Sequence, residues 1–205
     1  MRATPVPLSE APQDPRVARS RAKMLAAATE LLIEAGARGV TVDAVAERSG
    51  VAKSTLYRHW SSIHELLVDV MRSNVPEPIS VDLDSGFEAA LRTWVARAVA
   101  ALSAPDWART LPALLELRLH SPEMKALLDA DFDNKLETVA RILELGSAEG
   151  QLHAGLDPRQ LTHMLIGPLV LAALTGDEAT MTDLAEHVVE RFLRSYRTDS
   201  TGALR

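Results

Sequence analysis

A glycine between two short amphipathic segments is the feature that most constrains the fold of this chain. The stretch TVDAVAERSGVAKSTLYRHW begins at Thr41 and has Gly50 near its centre, with Ala46 four residues before the glycine. Two short helices cross closely only where a small side chain lies at the crossing and glycine takes the turn. The spacing therefore predicts a helix-turn-helix. The side chains predicted to face inward, against the preceding helix, are Val45, Val51 and Leu56.

The second of these helices has an outward face of hydroxyls, cations and a phenol, which are groups that bond to phosphates and base edges. Taken alone, this pattern also fits a solvated helical hairpin. The charge distribution favours an anionic partner, because residues 16–60 carry a net charge of +4 and the rest of the chain carries −10. The outward side chains are Lys53, Ser54, Thr55, Tyr57, Arg58 and His59.

The composition predicts an all-α fold, because Ala and Leu dominate a chain that is 47% hydrophobic and only 4% aromatic. The absence of cysteine excludes disulfides and thiolate metal sites and fits a reducing cytoplasm. Residues 1–15 contain four prolines and no apolar segment of the secretory type, so we interpret them as a flexible arm. The longest apolar run, 164–175, is too short to span a bilayer. We therefore expect a cytoplasmic protein without a membrane segment.

Helical periodicity predicts about nine helices. The first begins at Arg16, Thr41 caps the second, and Ser61 or Ser62 caps the fourth, with Glu65 completing a capping box. The four amino-terminal helices fall within residues 16–74, and the proline-containing segment 75–86 is a linker. Residues 87–205 contain the longer helices, at about 87–102, 106–120, 122–150, 158–175 and 182–196. Two of these have a capping side chain followed by a proline, at Ser121-Pro122 and Asp157-Pro158.

The stretch AAATELLIEAGARGVTVDAVAERSGVAKSTLYRHWSSIHELL resembles the amino-terminal domain of the TetR family of transcriptional regulators. A second stretch, AEGQLHAGLDPRQLTHMLIGPLVLAALTGD, resembles the segment that leads into the dimerisation helices of one subgroup. The resemblance implies an all-α homodimer with a three-helix DNA-binding domain and a larger domain for effector binding and dimerisation. Its partners would be double-stranded operator DNA and a small, mainly apolar effector that releases a repressor from its operator.

The resemblance also assigns roles to individual residues. It implies that Thr41, Tyr57 and His59 contact phosphates and that Lys53, Ser54 and Thr55 enter or flank the major groove. Arg58 would read a guanine or bind a phosphate. Two positions depart from the family pattern: Ile63 replaces a frequent lysine, and Trp60 replaces the usual phenylalanine.

The remaining polar residues form no convincing metal or catalytic constellation. The six histidines lack partners at ligand spacing, so we expect surface or core histidines and no metal or cofactor. Asp129, Asp131 and Asp133 alternate like the start of a calcium loop, but the required glycine and glutamate are missing, and a solvated polar break is the better interpretation. We expect no enzyme activity. The alternative function is a small all-α enzyme or a protein-binding adaptor with an incidental basic helix.

Two sets of mainly apolar residues carry the remaining predictions, and ordinary core packing is the alternative for each member. One stripe on each of the last two helices predicts a dimer interface built as a four-helix bundle. The predicted effector-pocket residues are Trp94, Trp107, His120, Met124, Phe132, His163 and Met164. The predicted interface residues are Leu161, Leu165, Leu169, Ala172, Leu184, Val188, Phe192 and Tyr196.

Overall fold

The computed structural model describes residues 15–75 and 78–198, apart from the side chains of residues 105–109 and 178. Residues 1–14 of the predicted flexible arm lie outside this range. Within it the chain forms nine α-helices and no strand, which confirms the all-α prediction. The helices are α1 (Pro15–Ala35), α2 (Val42–Ser49), α3 (Lys53–His59), α4 (Ile63–Asn74), α5 (Phe87–Leu102), α6 (Pro105–His120), α7 (Pro122–Ala148), α8 (Pro158–Thr175) and α9 (Met181–Tyr196).

The chain divides into two compact units, and the division falls inside α4, between Val70 and Met71. In the first unit, α1 packs against α2 and α3 around a small apolar core. Val45 and Leu56 are fully buried there, and Val51 is half-buried, as expected of the three side chains predicted to face inward. Burial of these side chains helps to hold α2 and α3 against α1, because short helices depend on tertiary packing for their stability.

The helix-turn-helix is shaped by local signals that the sequence carries openly. Thr41 caps α2, because its hydroxyl oxygen accepts a hydrogen bond from the Ala44 backbone N–H at 3.2 Å. Gly50 ends α2 in the left-handed conformation, with φ of 66°, which side chains with a Cβ atom rarely adopt. Glu65 behaves as a capping residue for α4, but its carboxylate accepts from the Ser61 backbone N–H at 2.8 Å, one residue before the predicted Ser62 partner. The Ser62 hydroxyl accepts from the Glu65 backbone N–H at 3.2 Å, as the predicted capping box requires.

In the second unit, α5, α7, α8 and α9 enclose a continuous apolar core. The two predicted N-caps of this unit, Ser121 before α7 and Asp157 before α8, both form. The Ser121 side chain accepts from the Met124 N–H at 3.0 Å, and the Asp157 side chain accepts from the Arg159 N–H at 2.9 Å. Each is followed by a proline in the first turn, whose missing N–H costs nothing there. Between α7 and α8, Leu152 forms an isolated bridge with Arg197.

The interpretation of Asp129, Asp131 and Asp133 as a solvated polar break is wrong, because all three lie within the uninterrupted helix α7. Opposite charges one turn away stabilise such positions. Lys125 pairs with Asp129, and Lys135 pairs with Asp131, both at a spacing of four residues. In the part of the chain that the structure describes, no helix is long and apolar enough to cross a membrane.

Candidate nucleic-acid interface and ligand cavity

The outer face of α3 carries all of the polar side chains that the sequence predicts there. Lys53, Ser54, Tyr57 and Arg58 are exposed, and Thr55 and His59 are half-buried. Leu56, in the middle of the same helix, is fully buried and fixes its orientation. The helix therefore presents two cations, two hydroxyls, a phenol and an imidazole outward from a rigid apolar anchor.

The first turns of α2 and α3 lie next to each other. Lys53 Nζ, at the start of α3, is 2.5 Å from Asp43 Oδ1 in the first turn of α2. Thr41, which is predicted to contact phosphate together with Tyr57 and His59, is exposed and caps the same turn of α2. Because both partners of the Lys53–Asp43 pair are more than half exposed, water screens the pair strongly. Lys53 can therefore turn to another anion at little cost.

A buried tryptophan ends α3 and holds it against its neighbours. The Trp60 ring is 3% exposed, and its indole Nε1–H donates to Asp69 Oδ2 on α4 at 2.8 Å. The same carboxylate oxygen accepts from Arg21 Nη2 on α1 at 2.5 Å. The Arg21 guanidinium also lies 5.5 Å from the centre of the Trp60 ring. Asp69 thus ties α1 and α4 to the end of α3, a role that sequence reasoning missed because its partners are distant in the chain.

His59 is uncharged in the free protein near neutral pH. Burial lowers the pKa of His59 below its ordinary value of 6.5, and the nearby charges of Arg21 and Arg58 lower it further. A neutral imidazole still has one N–H to donate, but it adds no positive charge to the surface.

Arg48 is basic but already engaged. Its guanidinium makes two hydrogen bonds to the Glu34 carboxylate, at 2.9 and 2.7 Å, and reaches Glu30 at 3.5 Å. These bonds raise the pKa of Arg48 and tie α2 to α1. The positive charge that remains for an anionic partner is therefore smaller than the count of basic residues suggests.

A cavity of about 530 Å³ lies within the second unit, between α5, α6, α7 and α8. Its wall is mostly apolar, which is typical of small-molecule sites. Of the seven predicted pocket residues, Trp94, Phe132 and His163 line it. The Phe132 and His163 rings stack, with their centres 5.2 Å apart.

Three predicted pocket residues lie elsewhere, and the prediction is corrected for them. His120 is exposed at the end of α6, and Met124 is fully buried in the first turn of α7 and does not line the cavity. Met164 faces outward, 46% exposed, where its sulfur accepts from the Tyr196 hydroxyl at 3.5 Å. The Trp107 side chain is outside the part of the chain that the structure describes.

The cavity also has polar lining residues that sequence reasoning missed. They pair with one another: Arg118 lies 2.7 Å from Asp129, and Lys135 pairs with Asp131. Arg159 lies 5.2 Å from the centre of the Phe132 ring. The i,i+4 spacing of Lys125–Asp129 and Asp131–Lys135 was the signal that could have placed these residues on one helix.

The predicted interface stripe on α8 is corrected. Its four side chains face the core of their own chain and have almost no surface left for a partner. On α9, Phe192 is buried in the same core, whereas Leu184, Val188 and Tyr196 are half-buried at its edge. The apolar side chains that α8 exposes are Met164, Leu171 and Leu174. The four predicted interface residues, all of which it buries, are Leu161, Leu165, Leu169 and Ala172.

Comparison with known proteins covers both units. Residues 24–70 match the model of the bacterial regulatory proteins of the tetR family, and residues 84–192 match the tetracyclin repressor-like C-terminal domain. The HTH-type transcriptional regulator YdeS of Bacillus subtilis (strain 168) is 26% identical over an alignment of 200 residues that covers 93% of this chain and 96% of YdeS.

Solved structures show the same fold. A transcriptional regulator from Saccharomonospora viridis, crystallised with choline, has a TM-score of 0.71 at 16% identity and covers 89% of this chain and 100% of its own. SmeT, the repressor of the Stenotrophomonas maltophilia multidrug efflux pump SmeDEF, has a TM-score of 0.65 at 21% identity and covers 89% of this chain and 93% of its own. With the outward face of α3 and the two family models that together span most of the sequence, these matches establish that the chain belongs to the TetR family of transcriptional regulators.

Proposed function

We propose that this regulator is a homodimeric repressor that binds operator DNA through α3 and leaves it when a small, mainly apolar molecule occupies the cavity. The observation that carries the DNA-binding part is the exposed polar face of α3 on its fully buried Leu56 anchor. The DNA-binding domain would comprise residues 16–74, followed by the linker 75–86 and the effector-binding domain 87–205. The proposed DNA contacts are Thr41, Lys53, Ser54, Thr55, Tyr57, Arg58 and His59.

The Lys53–Asp43 pair offers a test whose two arms have opposite signs. Lys53→Ala removes a cation that would neutralise a phosphate, so operator affinity falls and the slope of log affinity against log salt decreases by about 1 per site. Asp43→Asn removes a carboxylate that holds Lys53 and repels phosphates, so operator affinity rises.

The measurement is fluorescence anisotropy with DNA from the region flanking the gene, at several salt concentrations. A general folding defect would weaken binding in both variants, so the opposite signs identify a direct electrostatic effect. Equal affinities for wild type, Lys53→Ala and Asp43→Asn, all folded, would remove this face of the protein from the DNA interface.

A dimer would let two copies of α3 read two half-sites about 34–36 Å apart on one face of the DNA. We propose that its interface uses the exposed apolar residues of α8, of which Leu171 is 62% exposed, together with the half-buried edge of α9. Leu171→Glu should therefore weaken the dimer in sedimentation experiments. Leu119→Glu is the matched control, since Leu119 is 76% exposed on α6 and lies outside the proposed interface. A wild-type monomer at micromolar concentration would contradict the proposed dimer.

The cavity supports the effector part of the proposal. SmeT is a repressor and the Saccharomonospora viridis regulator was crystallised with choline, so regulators of this fold include repressors and ligand-bound proteins. A ligand that favours dimers with a different spacing of the two α3 helices would lower operator affinity. A 100-fold loss needs only about 2.7 kcal/mol of differential binding.

Coupling between ligand and operator is reciprocal, which gives the test. A candidate effector is titrated by calorimetry into the free protein and into the protein–operator complex. We expect weaker ligand binding to the complex by the same factor as the loss of operator affinity. Equal affinity in the two titrations would show that the compound is not an inducer.

We further propose that the chain acts as a regulator rather than an enzyme, and that it works in the cytoplasm, where its operator is. Its relatives are transcriptional regulators, and both family models describe regulatory proteins. Salt-dependent binding to the flanking DNA separates this function from that of an enzyme or a protein-binding adaptor with an incidental basic helix.

A further inference from the structure

The cavity wall contains a buried hydrogen-bond donor without a protein acceptor. Trp94 lines the cavity and is fully buried. Within the described residues, no atom accepts a hydrogen bond from its indole Nε1–H. A buried donor left unsatisfied costs about 1–3 kcal/mol, and most native structures avoid this cost. Trp60 shows the usual outcome in the same chain, because its buried indole donates to Asp69.

The other deeply buried polar group of the wall is uncharged as well. Thr162 is 1% exposed, and its hydroxyl donates to the Pro158 carbonyl at 2.7 Å. This bond uses the hydroxyl proton and leaves oxygen lone pairs that can accept. Two residues of the wall therefore carry an unsatisfied donor, at Trp94, and an acceptor, at Thr162, and because both are almost fully buried a ligand oxygen reaches them only when neighbouring side chains shift.

Four of the five charged groups of the lining form two ion pairs with one another. Arg118 is paired with Asp129, and Lys135 with Asp131. Arg159 lies against the Phe132 ring and 3.7 Å from Asp133. A charged ligand group placed beside Trp94 and Thr162 would lose its hydration next to uncharged groups, which is costly in an apolar site.

We propose that the effector is an uncharged, mainly apolar molecule with a carbonyl-type oxygen that accepts a hydrogen bond from Trp94 Nε1–H. This proposal rests on the proposed function, in which the cavity holds the effector. Ligand binding removes the cost of the unsatisfied indole, so the acceptor adds affinity beyond the burial of apolar area. Trp94 thus selects ligands with an acceptor over hydrocarbons of the same shape.

The test uses three probes of nearly equal shape: acetophenone, ethylbenzene and benzoate. They carry a carbonyl, a hydrocarbon and a carboxylate at the same position. Protein labelled with ¹⁵N gives indole N–H signals, and Trp94→Phe assigns the one that belongs to Trp94. The Trp60 indole, already bonded to Asp69, is the reference signal in the same spectrum.

We expect acetophenone to move the Trp94 indole proton downfield, and ethylbenzene to bind without that shift. Trp94→Phe should weaken acetophenone binding roughly tenfold, since one hydrogen bond to a buried donor is lost, and should change ethylbenzene binding by less than about twofold. Benzoate should bind at least about tenfold more weakly than acetophenone. Unfolding measurements on Trp94→Phe confirm that the variant used for the assignment is folded.

Two results are distinguishable. If the probes bind in the cavity but acetophenone has no advantage over ethylbenzene, or benzoate binds most tightly, the role of Trp94 is overturned and the cavity remains a ligand site. If no probe perturbs the signals of cavity residues such as Leu114 and Ile166, the proposed ligand site itself is overturned, and the selectivity proposal with it.

Discussion

Asp69 is the residue whose loss should loosen the DNA-binding unit most specifically. Asp69→Ala leaves the buried Trp60 indole without its acceptor, which costs about 1–3 kcal/mol. It also removes the ion pair with Arg21, but that side chain is 42% exposed and the pair adds less than about 1 kcal/mol. We therefore expect a destabilisation of about 2 kcal/mol. Asp69→Asn keeps an amide oxygen that can accept from Trp60, so its cost should stay below about 1 kcal/mol.

Amide hydrogen exchange measured by mass spectrometry reports this change locally. A loss of 2 kcal/mol accelerates exchange roughly 30-fold in peptides that cover residues 53–70 of Asp69→Ala, and less than about fivefold in Asp69→Asn. Peptides that cover residues 87–102 of the second unit are the internal reference and should not change. The same variant should lose operator affinity, because Trp60 ends α3.

Equal acceleration in Asp69→Ala and Asp69→Asn would refute this reasoning, since both variants lose the negative charge and only one loses the acceptor. Equal acceleration in the peptides of residues 87–102 would also refute it, because the effect would then be global.

Three further predictions concern two glycines and one histidine. Gly146→Ala should lower the free energy of unfolding by about 1–2 kcal/mol in urea titration, because the new Cβ would lie 2.7 Å from Leu152 Cδ1 and 2.8 Å from Phe87 Cδ2 in the core. Gly167→Ala, in α8, should lower it, because Pro168 follows and the proline ring disfavours a helical backbone at a preceding residue that has a Cβ atom; a gain in stability would contradict this reasoning, since apart from its chain neighbours the new Cβ meets no atom within 4 Å. Operator affinity should increase as pH falls from ~8 to ~6, because a phosphate raises the lowered pKa of His59 and DNA binding is then coupled to protonation of that residue. The coupling corresponds to the uptake of at most about one proton per chain on binding. An unchanged pH dependence in His59→Gln would assign the proton to another group.

The features that the sequence predicts correctly are those decided by neighbours in the chain. The Thr41, Ser121 and Asp157 caps form because each side chain reaches an N–H two or three residues away. The left-handed turn at Gly50 is equally local. The outward face of α3 follows from the same periodicity, since a buried Leu56 fixes the direction of every other side chain on that helix.

The features that the sequence does not predict depend on which helices pack against each other in the folded chain. Helix α8 is apolar on more than one side, so periodicity alone cannot tell the face that packs inward, with Leu165 and Leu169, from the face that stays exposed, with Leu171. The residues that line the cavity are likewise decided by helix packing and not by local sequence. Trp94 and Met124 are equally buried, and only the packing of four helices decides that one lines the cavity and the other does not.

Salt can weaken operator binding in two ways, and the exposure of the ion pairs in the DNA-binding unit allows the two to be distinguished. Counterion release scales with the number of phosphates contacted, whereas screening of ion pairs acts on the fold of the DNA-binding unit. The pairs of Arg48 with Glu34 and of Lys53 with Asp43 lie at the surface, with side chains between 33% and 78% exposed, so they contribute little to stability and salt removes little. The buried Val45 and Leu56, which do hold that unit together, do not depend on charge screening. A steep dependence of affinity on salt therefore reports phosphate contacts, and hydrogen exchange in residues 53–70 that stays constant across the same salt range would establish that the unit remains folded throughout.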